Sequence, residues 1–181
     1  MKELFILLAG NTLGLIGSVF MVLANNSKDP RNVAKLQNVQ VFMLGLSNLV
    51  LGAFTGFLSS IISIVRNVLC LKGKMNNVIK ALLLLTFVGT TLAFNTIGWV
   101  GWLPTIASAT ITLGMGAENQ RFFRTCLLVA SITFAIFDFC VKNYVTCVFD
   151  IATIYVSVVQ LLMTFKWTTS KQEDTLPKKC A

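Results

Sequence analysis

The sequence predicts an all-α integral membrane protein of seven transmembrane helices, built as two parallel three-helix repeats joined by one linker helix. Three observations predict it. Of the 181 residues, 55% are hydrophobic and only 12% charged, with mean hydropathy +0.77. Soluble domains carry about 25% charged residues, so this chain lacks the polar surface to cover a core in water. Its apolar residues fall into long runs separated by short polar gaps. The 15 Lys and Arg outnumber the seven Asp and Glu and lie in those gaps, not along an amphipathic face. Charges placed so orient a membrane protein and meet anionic head groups. The lipid bilayer is therefore the expected partner, and nucleic acid is not.

The first run, Leu4 to Ala24, reaches about 30 Å at 1.5 Å per residue, enough to cross the hydrocarbon core. Asn11 interrupts it and no small-residue cleavage site follows, so it reads as a retained helix rather than a signal peptide. Residues 25–37 read as a polar loop with Pro30 as a breaker. The 34 apolar residues from Asn38 to Leu71 are too many for one span and suit two. Gly52 to Gly56 is the expected turn, giving helices over about 37–52 and 55–71. After a basic gap at 72–77, Val78 to Phe94 reads as the fourth helix. Gly98 to Met115 reads as the fifth, with Pro104 two turns inside it and expected to kink it. Residues 124–140 and Tyr144 to Lys166 complete the set, turning at Val141–Asn143, with Lys166-Trp167 at the interface.

Charge supports this count. With the N-terminus outside, 12 of the 15 basic residues fall in cytoplasmic loops and the tail, among them Arg31, Lys72, Lys74, Arg121 and Lys166. A six-helix count scrambles that asymmetry. The element order also repeats about ninety residues apart: Arg31 falls on Arg121, Asn48 on Asp138, Ser18 on Ser108. The expected division is 1–72 as the first three-helix unit, 73–96 as linker helix, 97–167 as the second unit and 168–181 as a flexible cytoplasmic tail. Parallel repeats of this kind recur in transporters, with the substrate between the halves.

The chain has no histidine, which removes histidine acid–base chemistry, histidine triads and histidine ligation of metals. Its five cysteines form no C-x-x-C pair. No metal, no cofactor and no enzymatic activity are expected. Candidate function rests instead on polar residues within apolar runs. Arg66 lies about one and a half turns from the cytoplasmic end of the third helix. It either snorkels to head-group phosphate or lines a cavity and meets an anionic group or an internal carboxylate. Asn67 beside it cannot snorkel and needs a partner within the bundle. Asp150, about two turns into the last helix, needs a cavity, a partner or a proton. Its axial offset from Arg66 argues against a direct salt bridge. Asn11 reads as a helix–helix hydrogen bond, and Gly10, Gly14, Gly17 and Ser18 as a close-packing face.

The segment NLVLGAFTGFLSSIISIVRNVLCLKGK resembles the YgjV-type bacterial inner-membrane proteins, and the similarity continues through PTIASATITL, Phe137-Asp138, Asp150 and Ser157. That family tends to carry asparagine where this chain has Ser63 and Ser157, and glutamate at Asp150. The layout further resembles the group of SWEET and semiSWEET sugar transporters and PnuC-type vitamin transporters. There a proline on the first helix of each half aids rocking; here Pro104 matches one and Gly14 stands at the other, and the SWEET-type PQ motif is absent. The resemblance implies a bacterial inner-membrane location and a transporter-like fold. The expected function is a small-solute transporter or facilitator, with a site at Arg66, Asn67, Asp150 and Ser157, gating at Pro104 and Gly14, and a small polar solute and a second copy as possible partners. The alternative is a non-transporting membrane interaction or assembly protein.

Overall fold

A computed structural model describes residues 1–26, 30–115 and 120–174. Seven α-helices account for nearly all of them: α1 (Lys2–Asn26), α2 (Pro30–Val50), α3 (Phe54–Leu71), α4 (Asn77–Phe94), α5 (Leu103–Gly114), α6 (Gln120–Cys140) and α7 (Tyr144–Asp174). A 3₁₀ turn over Gly98–Trp102 leads into α5. There is no strand among the described residues. Each helix packs on the next, α1 also meets α7, and α3 meets α5.

Solvation is reversed relative to a water-soluble domain. Among the described residues, 14 polar or charged side chains are buried against eight hydrophobic ones. Large apolar side chains such as Leu85 and Leu92 of α4 and Val148 and Tyr155 of α7 stand exposed. Only a hydrocarbon solvent makes that distribution favourable, because helices in it satisfy their backbone internally and gather polar side chains against one another. Four described helical segments are long and apolar enough to cross a membrane: Lys2–Leu23, Phe54–Leu71, Asn77–Phe94 and Arg121–Cys140. Tyr144–Val159 is apolar but shorter.

Three local expectations are corrected. Residues 30–37, expected as loop, are the first turns of α2. Pro30 opens that helix instead of breaking it, since proline at the first helical position gives up an N–H that has no acceptor there anyway. Pro104 likewise does not kink a helix from within. The chain winds as a 3₁₀ turn to Trp102, and Pro104 falls in the first turn of α5. The last helix runs past Lys166 to Asp174, so the segment from 168 is helical in its described part.

Helices α2 and α6 begin and end ninety residues apart, and so do the starts of α3 and α7. The two intervening turns close in the same way. Gly52 and Lys142 both adopt left-handed backbone, φ 81° and 63°. Gly52 N–H donates to Leu49 O and Ala53 N–H to Asn48 O (3.1 and 2.7 Å); Lys142 N–H donates to Phe139 O and Asn143 N–H to Asp138 O (3.2 and 2.8 Å). This paired pattern caps the last carbonyls of a helix and favours glycine at the left-handed position. Lysine there carries a steric cost of about 1–2 kcal/mol that glycine avoids. Lys142→Gly should therefore raise the thermal midpoint in detergent by the equivalent of about 1 kcal/mol, and Gly52→Lys should lower it. A lower midpoint for Lys142→Gly would contradict this account of the turn.

Candidate functional site

Two polar clusters lie inside the bundle. The first sits where the α6–α7 turn meets α1 and α2. Asn143 is fully buried there and opens α7. Its Nδ2 donates to Ser47 Oγ (3.0 Å) and, at 3.5 Å, toward Asp138 Oδ1; its Oδ1 accepts from Thr146 Oγ (2.9 Å). Ser47 Oγ in turn donates to the carbonyl of Gly10 (2.7 Å). Asn11 of α1 grips the turn itself, donating to Lys142 O (3.1 Å) and accepting from Val145 N–H (3.0 Å). Gly14 is what lets α1 approach: a Cβ there would lie 2.6 Å from Thr146 Oγ and 2.8 Å from Asn143 Oδ1. Asp138 is buried and faces Asp150 across α6 and α7 closely enough for the two carboxyls to interact. Asp150 Oδ2 is buried without a hydrogen-bond partner among the described residues.

The second cluster joins α3, α5 and α2. Arg66 is 5% exposed, so its guanidinium does not run out along the helix to head groups. It turns inward: Nη1 donates to Ser108 O on α5 (3.2 Å), while Nε and Nη2 both reach Asn67 Oδ1 (3.3 and 3.1 Å). Asn67 Nδ2 donates to Asn38 Oδ1 on α2 (3.3 Å). One turn away, the Ser63 and Ser108 hydroxyls meet at 3.4 Å. Among the described residues no carboxylate approaches Arg66. Beyond it, Thr91 of α4 and Thr105 of α5 share a short hydroxyl contact.

Of the residues singled out from the sequence, Arg66 and Asn67 are brought together, and Asp150 lies in the other cluster beside Asp138. Ser157 is half-buried on α7. Gly14, midway along α1, and Pro104, in the first turn of α5, are both at tightly packed positions. Asn11 makes the interhelical bonds its place in an apolar run implies. Cys140 and Cys147 are free thiols. Sequence reasoning missed the hydroxyl stripes. Thr55, Ser59 and Ser63 precede Arg66 on one face of α3, and Thr105, Ser108 and Thr112 share one face of α5; all are buried. Their spacings of three and four residues were legible as one helical face in an otherwise apolar background. Asn38 and Asn143 were missed because each lies at the edge of a run, where polar residues are unremarked, and Ser47 because a lone serine inside an apolar run carries little signal of its own.

Exposed apolar faces around a seam of buried polar residues define a multi-pass membrane protein. The chain belongs to the Imp-YgjV family, described as bacterial inner membrane protein, whose family model matches residues 8–166. No curated protein and no solved structure matches it.

Asn143→Ala removes a donor to one helix and an acceptor for another, leaving Ser47 and Thr146 short of partners. It should cost about 2–4 kcal/mol, read as a lower thermal midpoint in detergent. Ser47→Ala should cost less, and the double variant should fall short of the sum because the two share one network. Strict additivity would show that the bond between them contributes nothing.

Proposed function

We propose that the protein is a small-solute transporter or facilitator working by alternating access between two three-helix halves, α1–α3 and α5–α7, with α4 as the linker. The observation that carries the reading is the buried cation of Arg66, held among hydroxyls and amides between α3 and α5, at the contact of one half with the other. A charge kept inside a membrane bundle costs several kcal/mol and is retained where it serves a pathway or a ligand.

Three further features support it. The boundaries of α2 and α6 and the starts of α3 and α7 recur at a ninety-residue offset, and α1 packs on α7 as α5 packs on α3, the equivalent pairing in two like units. The 3₁₀ turn and α5 together rise about 28 Å, at 2.0 and 1.5 Å per residue, a membrane-spanning length that α5 lacks alone. Pro104 falls ninety residues after Gly14, in line with the resemblance to the SWEET and PnuC group, where prolines on the first helix of each half accompany rocking. On this reading Arg66, Asn67, Asp150 and Ser157 bound the solute path, the N-terminus is outside and the C-terminus cytoplasmic, and no bond is made or broken in the solute.

Purified protein in proteoliposomes should take up at least one labelled solute from a panel of small polar compounds. Arg66→Ala or Asp150→Ala should reduce the initial rate at least tenfold. Normal uptake in both variants would remove these residues from the path; no uptake by the wild type would turn the reading to a non-transporting assembly protein. The topology has its own check. In a cysteine-free background, Lys142→Cys should react with an impermeant maleimide on intact cells, and Lys74→Cys only after permeabilisation. The reverse pattern would invert the orientation.

A further inference from the structure

Arg66 donates three hydrogen bonds, all to neutral oxygens: one from Nε, one from Nη1 and one from Nη2. A guanidinium carries five N–H groups. One N–H on each terminal nitrogen is therefore left over, at a side chain 5% exposed. Of the three hydroxyls that precede it on the same face of α3, Ser63 meets Ser108 and the other two are unspent. Thr55 Oγ and Ser59 Oγ are buried, at 2% and 3% exposure, and have no partner among the described residues. Elsewhere in the bundle hydroxyls in helices turn back onto the carbonyl four residues earlier, as Ser60 does onto Gly56 and Thr112 onto Ser108. A positive charge without a counter-charge, two free N–H groups and a file of free hydroxyl donors have one complement in common. We propose that this seam between α3 and α5 binds a small oxyanion, a carboxylate or phosphate, with Arg66 as its anchor and Ser59 and Ser63 as neighbouring donors. Charge-assisted bonds from a guanidinium fork match the geometry of those groups. Burial sets the source: lipid head groups lie outside the bundle, so the anion is a free solute. The inference rests on the transport reading of the same site and names its substrate class.

The test uses the full chain in detergent. Thermal midpoints are titrated with acetate, succinate and phosphate, at ionic strength held constant with chloride. At least one oxyanion should raise the midpoint saturably. Arg66→Gln should increase the half-saturating concentration at least tenfold, Arg66→Lys severalfold because charge remains without the fork, and Ser63→Ala about twofold to fivefold. If Arg66→Gln does not fold, Arg66→Lys and Ser63→Ala decide. No saturable stabilisation by any of the three anions, or equal stabilisation of wild type and variants, would overturn the proposal. Arg66-dependent stabilisation by phosphatidylglycerol alone would overturn it too, by assigning the seam to lipid. Uptake of a neutral or cationic solute that survives in Arg66→Gln would reject the anion while transport stands. Anion binding without uptake would uphold the anion and reject transport.

Discussion

A polar group inside a membrane bundle has no water to fall back on, and the fold is arranged around that constraint at Asn143. Its amide touches Ser47, Thr146 and Asp138, and so draws α2, α6 and α7 to one point. Ser47 continues the chain of bonds to the α1 backbone at Gly10. An unmade hydrogen bond in hydrocarbon costs several kcal/mol, so the four helices are held in register by the price of separating these atoms. Gly14 follows from the same demand: α1 must come close enough that a methyl group on it would collide with two of the oxygens. Helix packing without a hydrophobic drive depends on such close approach.

The two like backbones carry unlike chemistry. At the ninety-residue offset Asn48 stands against Asp138, Gly52 against Lys142, Ser47 against Phe137 and Gly56 against Thr146. Phe137 and Gly56 are in direct relation, since the ring fills the space a Cβ on Gly56 would need, its nearest atom 2.8 Å from that position. Both first-segment positions carry the smaller residue and both second-segment positions the larger, so the two like turns pack differently. The described buried cation belongs to the first of the two like segments and the facing carboxyls to the second.

Much of the fold was legible because apolar runs and gaps report the solvent directly. Helix α4 and the turns at Gly52 and Lys142 fell where composition placed them. Proline was misread twice for one reason: its effect depends on whether it falls in the first turn or the interior, and sequence periodicity does not fix that phase. The 3₁₀ turn before α5 could not be read from residue types, because it depends on Gly98 at φ 62° and on Gly101 lying against the Asn95 amide. At the site, Arg66 and Asp150 stood out by charge alone. Asn67 stood out beside Arg66, but its partner Asn38 on α2 did not, because a lone neutral residue acquires meaning only from the helix it faces. The pairing of Asp150 with Asp138 spans twelve residues and a reversal of direction, a relation the turn geometry creates.

Helix α4 buries Leu83, Phe87 and Thr91, three residues at four-residue intervals. It is therefore fastened along a single line, with Thr91 against Thr105 of α5 at one end of it. Its remaining faces carry Leu82, Leu85 and Leu92 outward, apolar side chains suited to lipid tails. Rolling α4 about that line exchanges one hydrocarbon contact for another and uncovers no surface to water. The outward faces of α4 therefore set no preference among rotations about that line, and its orientation rests on the buried contacts of Leu83, Phe87 and Thr91.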